Sequence, residues 1–438
     1  MKSGFYLLLA WYLKILAKLQ LKKQKITVVG VTGSVGKTSC MMAIKAVLED
    51  DFKTKVSIKA NSEIGIPLDI LGFKARSYGF FDWLLIIPLA LIKLLTNFKK
   101  YDVYVVEMAI DSPDKPKNMG WLLSIIQPNI GVFLNVFPVN TEPFEKLKGK
   151  AIENIAIEKG KLITFLPKNG WAILNSNDKR VMAFKDKTKA RVVTFDRVND
   201  LQGRTPDRIG TGLQVLQAET LAVVVAVGKI FGINKNKALK KIKKNFKMPR
   251  GRMEIIKGIK NTTLIDSSYN ASRESMLLGL DYLQGQSLKV DNRSRGSNER
   301  VKIGPSGSVL EGRKVAVLGD MRELGKQAKK EHELVAEKAV KIAEVIVIVG
   351  PLMKKYFLPK VIKLGFDKNK IHWFNNTYKA MVSLREKIIK TGDRILIKAS
   401  QNTLLFEIIV EGLMENPKKA DNLLCRRGNF WDKKRRAI

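Results

Sequence analysis

The sequence has few cysteines, few histidines and few acidic residues. Its two cysteines, Cys40 and Cys425, lie far apart and show no CxxC spacing. This excludes a cysteine zinc ribbon and a disulfide framework, and it is typical of a reducing cytoplasm. Its two histidines, His332 and His372, are too few for a histidine-built metal site.

The shortage of acids leaves a strongly basic chain, with 79 Lys and Arg against 41 Asp and Glu and a formal net charge of +38. A charge of this size attracts nucleic acid, anionic lipid or polyanionic small molecules. A general basic bias explains it equally well, because the lysines are scattered. No aromatic–basic motif accompanies them, so no specific nucleic-acid partner is predicted.

The sequence also lacks an uninterrupted apolar run of the roughly 20 residues that a membrane-spanning helix needs. The apolar run 5–13 ends at Lys14, and Lys14, Lys18 and Lys22 follow at four-residue spacing on one face of a helix. No small-residue cleavage site follows, so a secretory signal is not predicted. The pattern favours an amphipathic helix over residues 1–25, either at a membrane interface or packed on the protein's own core.

A second apolar segment, residues 80–95, is interrupted by Asp82, Pro88 and Lys93. It is also too broken to span a bilayer. Together with residues 1–25 it could form one surface for peripheral contact with the inner face of the membrane, or the two segments could bury each other.

From residue 26 onwards, β-branched runs alternate with helical patterns, which predicts an α/β fold with mainly parallel sheets covered by helices. Pro249 and Gly251 break this alternation, and it then restarts. The predicted organisation is an amphipathic helix at 1–25, a P-loop central domain at 26–248, a smaller Rossmann-like α/β C-terminal domain at 249–420 with a flexible polar insertion at 285–312, and a basic tail at 421–438.

The same patterns locate the individual elements. Strands are predicted at 26–31, 103–108, 131–136, 171–174, 263–266, 314–318, 345–349 and 394–398. Helices are predicted at 37–49, 121–126, 145–161, 213–231, 272–283, 329–343, 378–390 and 403–415.

The segment 30–39, which reads GVTGSVGKTS, stands between a predicted strand and a predicted helix. Its glycines allow backbone amides to turn toward phosphate oxygens, and the helix N-terminus adds partial positive charge. Lys37 suits the β- and γ-phosphates and the Thr38 hydroxyl suits Mg²⁺. Val31 replaces the first glycine of the common P-loop. The prediction is a relaxed P-loop that binds ATP through Gly33, Ser34, Val35, Gly36, Lys37, Thr38 and Ser39.

This Thr-Gly-x-x-Gly-Lys-Thr loop resembles that of the Mur ligase superfamily, whose members join an amino acid or peptide to a carboxylate. Five further segments, in the family's order, are similar to its MurF branch, which adds D-alanyl-D-alanine. They are NSEIGIPL at 61–68, Glu107-Met108, IDSSYNA at 265–271, LGDMRELG at 318–325 and IKAS at 397–400.

The resemblance implies ATP and Mg²⁺ as cofactors and assigns roles to individual residues. The implied catalytic residues are Lys37, Glu107 and Lys159, and the implied metal ligands are Thr38, Glu107 and a carbamylated Lys159. Further contacts with ATP are implied for Asn175, Arg252 and Asp266. The residues implied on the acceptor side are Tyr269, Asn270, Asp320, Glu323 and Lys398.

For three of these residues a purely structural role is an alternative interpretation. Lys159 is equally well a solvated helix lysine, and Asp266 a helix N-cap acid. Asn175, with Asp178, is explained almost as well by an ordinary turn.

The implied function is ATP-dependent addition of D-alanyl-D-alanine to a UDP- or lipid-linked muramoyl-tripeptide through an acyl phosphate, in the cytoplasm, with ATP between the two domains. Asn140, Thr220 and Gln401 replace polar or charged residues of the family pattern. They favour the alternative of an ATP-binding paralogue without ligase activity. A Mur-like ligase for another carboxylate or amino acid is the other alternative. Only 29 residues precede Gly30, so the family's usual domain for uridine diphosphate is not expected here.

Overall fold

The computed structural model describes residues 3–58, 60–73, 80–196, 218–285, 312–400 and 403–436. The chain divides into two compact units, Met1–Pro249 (unit 1) and Arg250–Ile438 (unit 2). Nearly all of the insertion predicted at 285–312 lies outside the described residues.

Unit 1 is a parallel α/β sheet with helices on both faces. Its strands are β1 Thr27–Thr32, β2 Thr54–Val56, β3 Val103–Glu107, β4 Ile130–Phe133, β5 Trp171–Asn175 and β6 Arg191–Phe195. Its helices are α1 Ser3–Lys22, α2 Lys37–Leu48, α3 Gly65–Ile70, α4 Phe80–Thr96, α5 Met119–Ile125, α6 Ala151–Thr164, α7 Lys179–Met182, α8 Ala218–Ile230 and α9 Lys235–Asn245.

The strand order in unit 1 is β2-β3-β1-β4-β5-β6, and every pair is parallel. In a parallel sheet all carboxyl ends meet at one edge, where open α/β sheets bind ligands. Thus the loop after β1 lies beside the ends of β3 and β4. Two apolar clusters fill the two faces of the sheet, one including buried side chains of α1 and α4 and the other those of α2 and α8.

Helix α1 packs on the core of its own unit, which is one of the two alternatives predicted for residues 1–25. Its residues Leu9, Leu13 and Leu16 are buried in the same cluster as Ile86 and Leu94 of α4. By length and composition Gly4–Lys22 is also apolar enough to cross a membrane, alone among the helices of the described segments. The sequence analysis predicted instead that the lysines leave an apolar run too short to span a bilayer. The mean hydropathy of the whole helix is nevertheless high enough, because its many apolar residues outweigh the few lysines.

Unit 2 is a second six-stranded sheet. Its strands are β7 Glu254–Lys257, β8 Thr263–Ser267, β9 Lys314–Gly319, β10 Val345–Val349, β11 Ile371–Phe374 and β12 Arg394–Lys398. Its helices are α10 Arg273–Gly285, α11 Ala328–Ile342, α12 Leu358–Lys363, α13 Thr377–Ser383, α14 Glu407–Leu413, α15 Ala420–Leu423 and α16 Asn429–Arg436. The strand order is β11-β10-β9-β12-β8-β7, parallel except for β7 against β8.

The predicted α/β class and the parallel sheets are confirmed, and several element bounds are corrected. The helix predicted at 145–161 begins at Ala151, because residues 145–150 form turns after a short 3₁₀ segment. The helix predicted at 378–390 turns into a π-helical segment at Leu384–Ile388. The segment 421–438, which was predicted to be a basic tail, is partly packed into unit 2, because Leu424, Cys425 and Arg426 are buried.

Candidate active site

The loop between β1 and α2 has the backbone that its glycines predict. Gly33 has φ +151° and Gly36 has φ +85°, conformations that residues with a Cβ rarely adopt. A Cβ on Gly33 would also lie 2.9 Å from the Cβ of Leu134. Gly36 immediately precedes α2, so the amides that open this helix face the loop. The arrangement suits the binding of phosphate oxygens.

Asn135, just after β4, holds the loop in place. Its Oδ1 accepts hydrogen bonds from the amides of Ser34 at 3.1 Å and Val35 at 3.0 Å, and its Nδ2 donates to the Val35 carbonyl at 3.2 Å. The Ser34 amide also donates to the Asn135 carbonyl. The sequence alone does not indicate this role of Asn135, because its partner is 100 residues away along the chain. In the sequence, Asn135 falls within the strand predicted at 131–136, whereas the observed strand β4 ends at Phe133.

Glu107, at the end of β3, lies beside the start of α2. The Thr38 Oγ1 donates a 2.8 Å hydrogen bond to Glu107 Oε2, and Asn61 Nδ2 donates to Oε1 at 3.3 Å. The Ser57 hydroxyl accepts from the Glu107 amide and fixes the end of the strand. Lys37 Nζ lies 4.0 Å from Glu107 Oε1 and donates to two carbonyl oxygens of its own loop. The structure therefore brings Lys37, Thr38 and Glu107 together, although 69 residues separate Thr38 from Glu107.

Lys159, on α6, is buried and points at the same loop. Its Nζ donates to the Gly33 carbonyl at 3.1 Å, and only 5% of the residue is exposed. The reading of Lys159 as a solvated helix lysine is therefore wrong. Burial, with a smaller effect of the nearby Lys37 charge, lowers the pKa of Lys159 to about 7, although Asp111 and Glu107 act in the opposite direction. The lowered pKa favours the uncharged, nucleophilic form of this amine.

The oxygen atoms at this position fit Mg²⁺. Hydroxyl and carboxylate oxygens are its preferred protein ligands, usually one or two of them together with substrate phosphates. Thr38 and Glu107 supply such a pair. In the described part of the chain, no three His, Cys, Asp or Glu side chains form a ready-made metal cluster.

Asn175 and Asp178 make contacts with the protein's own backbone. Asn175 Nδ2 donates to the Leu134 carbonyl at 2.8 Å, and its Oδ1 accepts from the Asn177 amide. Asp178 Oδ2 accepts from the Val136 amide at 2.7 Å, and its Oδ1 accepts from the first amides of α7. These contacts support the turn after β5 and the segment after β4 that carries Asn135.

In unit 2, Asp266 and Lys398 occupy neighbouring strand ends. Asp266 is fully buried on β8; its Oδ1 accepts from the Ser268 amide, whereas its Oδ2 has no hydrogen-bond partner. Burial raises the pKa of Asp266. Helix α10 begins only at Arg273, so Asp266 is not its N-cap. An orphaned carboxylate oxygen at a strand end is suited to a ligand hydroxyl.

Lys398 ends β12 beside Ser267, its register partner on β8. Its Nζ donates at 2.9 Å to the Ser267 hydroxyl and to the Asn270 carbonyl. Burial, with a smaller effect of the Arg252 charge, lowers the pKa of Lys398 to about 7, although Asp266 acts in the opposite direction. Lys398 thus joins β12 to the loop that follows β8.

Asp320 directly follows β9, whose end is the third strand end at this part of the sheet after those of β8 and β12. Its Oδ1 accepts from the Met353 amide at 2.8 Å, and burial raises the pKa of Asp320. The Ser400 amide donates to the Asp320 carbonyl, and the Ser400 hydroxyl accepts from the Arg322 amide. Glu323 is exposed on a turn with φ +61°. The motifs at 265–271, 318–325 and 397–400 therefore meet at one edge of the unit 2 sheet.

Arg426 contacts the loop after β8 and stabilises it, a role that the sequence did not indicate. It forms a buried ion pair with Glu407 at 2.9 Å and donates to the carbonyls of Ser268 and Tyr269. Its guanidinium also lies 5.3 Å from the ring centre of Tyr269, and that of Arg252 lies 4.5 Å from the same ring. Asn270, next in the loop, is exposed.

The three departures from the family pattern have different settings. Asn140 is half-buried with φ +55°, and Thr220 is buried near the start of α8. Gln401 lies outside the described residues.

Comparisons with known proteins agree with this geometry. The Mur ligase middle domain model matches residues 31–208. The UDP-N-acetylmuramoyl-tripeptide–D-alanyl-D-alanine ligase of Buchnera aphidicola subsp. Baizongia pistaciae is 25% identical over 420 residues, covering 90% of this chain and 76% of the relative.

Two solved structures share the fold. MurF from Acinetobacter baumannii has a TM-score of 0.67 at 18% identity, covering 92% of this chain and 80% of the other. The MurF ligase of Thermotoga maritima in complex with ADP has a TM-score of 0.64 at 20% identity, covering 96% and 85%. The sequence motifs, the two sheets and these likenesses agree along nearly the whole chain. Residues 31–208 match the Mur ligase middle domain, and the chain is MurF-like along nearly its whole length.

Proposed function

We propose that this protein is an ATP-dependent amide ligase of peptidoglycan precursor synthesis, which joins D-alanyl-D-alanine to a muramoyl-tripeptide. The observation that carries the proposal is the grouping of Lys37, Thr38, Glu107 and Lys159 around the loop before α2. The names of the relatives supply the substrates, and the geometry supports phosphoryl transfer to a carboxylate.

The reaction needs two bond exchanges. A carboxylate oxygen of the tripeptide attacks the γ-phosphorus of ATP, the bond from that phosphorus to the β-bridging oxygen breaks, and ADP leaves. The dipeptide amine then attacks the acyl carbon, the bond to the phosphate oxygen breaks, inorganic phosphate leaves, and the nitrogen loses a proton. A free carboxylate resists amine attack, so the first exchange makes the second possible.

The side chains of unit 1 serve the first exchange. The loop amides after Gly33 and the Lys37 ammonium hold the phosphates and stabilise the charge that develops on the transferred group. Thr38 and Glu107 would hold Mg²⁺, which supplies further positive charge to the same oxygens when bound. Lys37 now donates to the carbonyls of Gly33 and Ser34, so we expect it to exchange these contacts for phosphate oxygens.

We further propose that Lys159 is carbamylated. A neutral amine is required to attack CO₂; the new N–C bond gives a carbamate and releases a proton. The lowered pKa of Lys159 and its burial beside the loop favour this modification. The carbamate would turn a cation into a bidentate anion next to Thr38 and Glu107, where it could hold a second Mg²⁺.

In unit 2, we propose that Asp266 binds ribose hydroxyls through its orphaned oxygen and that Arg252 contacts the nucleotide. Tyr269, Asn270, Asp320, Glu323 and Lys398 would serve the acceptor side. The support for this assignment is that their three motifs share one sheet edge. That edge is where parallel α/β sheets bind ligands.

The proposal is tested by phosphate release from ATP in the presence of a UDP-linked or a lipid-linked muramoyl-tripeptide, with and without D-alanyl-D-alanine. We expect release that needs both acceptors, and a loss of about a thousandfold in Lys37→Ala, which removes one phosphate-binding cation. A Lys37→Arg variant keeps the positive charge but changes the shape of the side chain, so it separates the effect of the charge from the effect of the shape.

The substitutions at Asn140, Thr220 and Gln401 favour a second candidate, an ATP-binding paralogue without ligase activity. That candidate predicts ATP binding with no acceptor-dependent phosphate release. Release with another amino acid in place of D-alanyl-D-alanine would instead indicate a Mur-like ligase for a different substrate.

A further inference from the structure

Helices α1 and α4 present an apolar surface to solvent that the ligase chemistry does not use. The exposed fraction is 67% for Leu8 and 65% for Leu85, and it is 64% for Leu95 at the end of α4. Monomeric proteins rarely leave contiguous apolar surface of this kind uncovered. The outer surface of the helix pair, here the α1–α4 face, includes Leu8, Trp11, Leu84, Leu85, Ile92 and Leu95.

The two helices lie side by side and run in the same direction. The Tyr12 hydroxyl donates to the Ile87 carbonyl at 2.8 Å, and further along both helices Gln20 Nε2 donates to the Asn97 carbonyl at 2.8 Å. Each helix buries its opposite side in one shared apolar cluster. Their exposed sides therefore point away from the same core and form one continuous surface.

The charges around this surface are almost all positive. Every charged residue of α1 is a lysine, and Lys18 and Lys22 are exposed. In α4 the one acid, Asp82, lies in the first turn, whereas Lys93 lies in the last. Because the helices are parallel, the lysines of both collect at one end of the surface, together with exposed Lys23 and Lys25.

We propose that the α1–α4 face binds the surface of an anionic phospholipid bilayer, with both helices lying in the plane of the interface. Apolar side chains flanked by lysines match acyl chains beneath anionic headgroups. A second copy of this chain fits less well, since it would bring lysines against lysines and a net charge of +38 against +38.

Helix α1 has the length and composition of a spanning helix, but its contacts favour a flat position. Leu9, Leu13 and Leu16 are buried in the core of unit 1, and Gln20 is bonded to the segment after α4. Crossing the bilayer would pull these side chains from the core. Lying on the bilayer keeps every one of these contacts.

The test is flotation of the full-length protein with vesicles of phosphatidylcholine alone, or with vesicles of phosphatidylcholine and phosphatidylglycerol in equal parts. We expect stronger binding to the anionic vesicles, weakened by salt. A Leu8→Ser, Leu84→Ser, Leu85→Ser variant should lose binding to both. A Lys18→Gln, Lys22→Gln variant should bind the anionic vesicles about thirtyfold more weakly and the neutral ones unchanged.

Matched controls use unit 2, where Ile362→Ser with Leu364→Ser replaces two exposed apolar side chains and Lys418→Gln with Lys419→Gln removes two exposed charges. Neither control should alter flotation. Acceptor-dependent phosphate release in solution should be the same in all four variants, which separates this proposal from the ligase assignment. Equal flotation of the triple serine variant and the parent protein would overturn the proposal. So would a concentration-dependent dimer that the triple serine variant converts to monomer, because a second copy would then cover the face.

Discussion

The Thr38 hydroxyl donates a 2.8 Å hydrogen bond to the Glu107 carboxylate, which joins the first turn of α2 to the end of β3. The contact exists because β1 and β3 are neighbours in a parallel sheet, with Val31 paired to Glu107. It places two oxygen ligands of the kind that Mg²⁺ prefers next to a phosphate-binding loop.

Replacing Glu107 tests this pair. We expect Glu107→Gln to lower acceptor-dependent turnover by about a hundredfold, because a neutral amide is a weaker ligand for a divalent cation. Raising Mg²⁺ should restore part of the activity, which a titration of phosphate release against Mg²⁺ would measure. Thr38→Ser keeps the hydroxyl and should retain most of the activity. Equal Mg²⁺ dependence in Glu107→Gln and the parent protein would argue against a metal role for this residue.

Carbamylation of Lys159 predicts a defined pH dependence. The amine must be neutral to react with CO₂, and its pKa is lowered to about 7, so the carbamate should disappear as the pH falls below that value. Nuclear magnetic resonance of protein equilibrated with ¹³C-bicarbonate should show a carbamate carbon at pH 8 and lose it at pH 6, two values chosen to bracket the lowered pKa.

The same helix provides the control for that measurement. Lys159→Arg should remove the carbamate signal, since a guanidinium stays protonated. Lys161→Arg should leave it unchanged, because the Lys161 amine is partly exposed and paired with Glu158. A signal that survives Lys159→Arg would show that the carbamate, if any, lies elsewhere.

Asn135 is predicted to matter through the shape of the loop. Asn135→Ala removes three side-chain hydrogen bonds and leaves the part-buried Val35 amide without its side-chain acceptor, whereas the Ser34 amide keeps its bond to the carbonyl of residue 135. The loss should be about 1–3 kcal/mol of unfolding free energy. The affinity for ADP, measured by calorimetry, should fall along with it. Asn135→Asp keeps the acceptor but adds a negative charge near the phosphates, so it should retain more stability than affinity. Wild-type affinity for ADP in both variants would contradict this role.

The buried ion pair of unit 2 gives a prediction on stability. Arg426→Ala leaves the Glu407 carboxylate buried and unpaired and should lower the unfolding free energy by about 3–5 kcal/mol. Denaturant unfolding would measure it. Adding Glu407→Gln should recover part of the loss, because the stranded charge is then removed. Arg427→Ala, whose partners Glu411 and Asp421 are more exposed, should cost about 1 kcal/mol or less. Similar losses in Arg426→Ala and Arg427→Ala would contradict the buried role.

Local sequence patterns predicted the long buried strands, since β-branched runs such as those of β1, β10 and β12 are distinctive. The short or amphipathic strands β2, β6, β7 and β11 were missed, because they are defined by pairing with a neighbour rather than by their own residues.

The sequence by itself determined the phosphate loop, since glycine spacing and Lys37-Thr38 form a local chemical signal that needs no distant partner. It also determined the motif order that indicates the family. Only the tertiary structure decided which side chains meet the loop. Asn135 acts through a contact 100 residues away, and Lys159 gains its lowered pKa from burial that no helix pattern reveals. The α1–α4 face was decided in the same way, because folding determines which side of an apolar helix is buried and which is exposed to solvent.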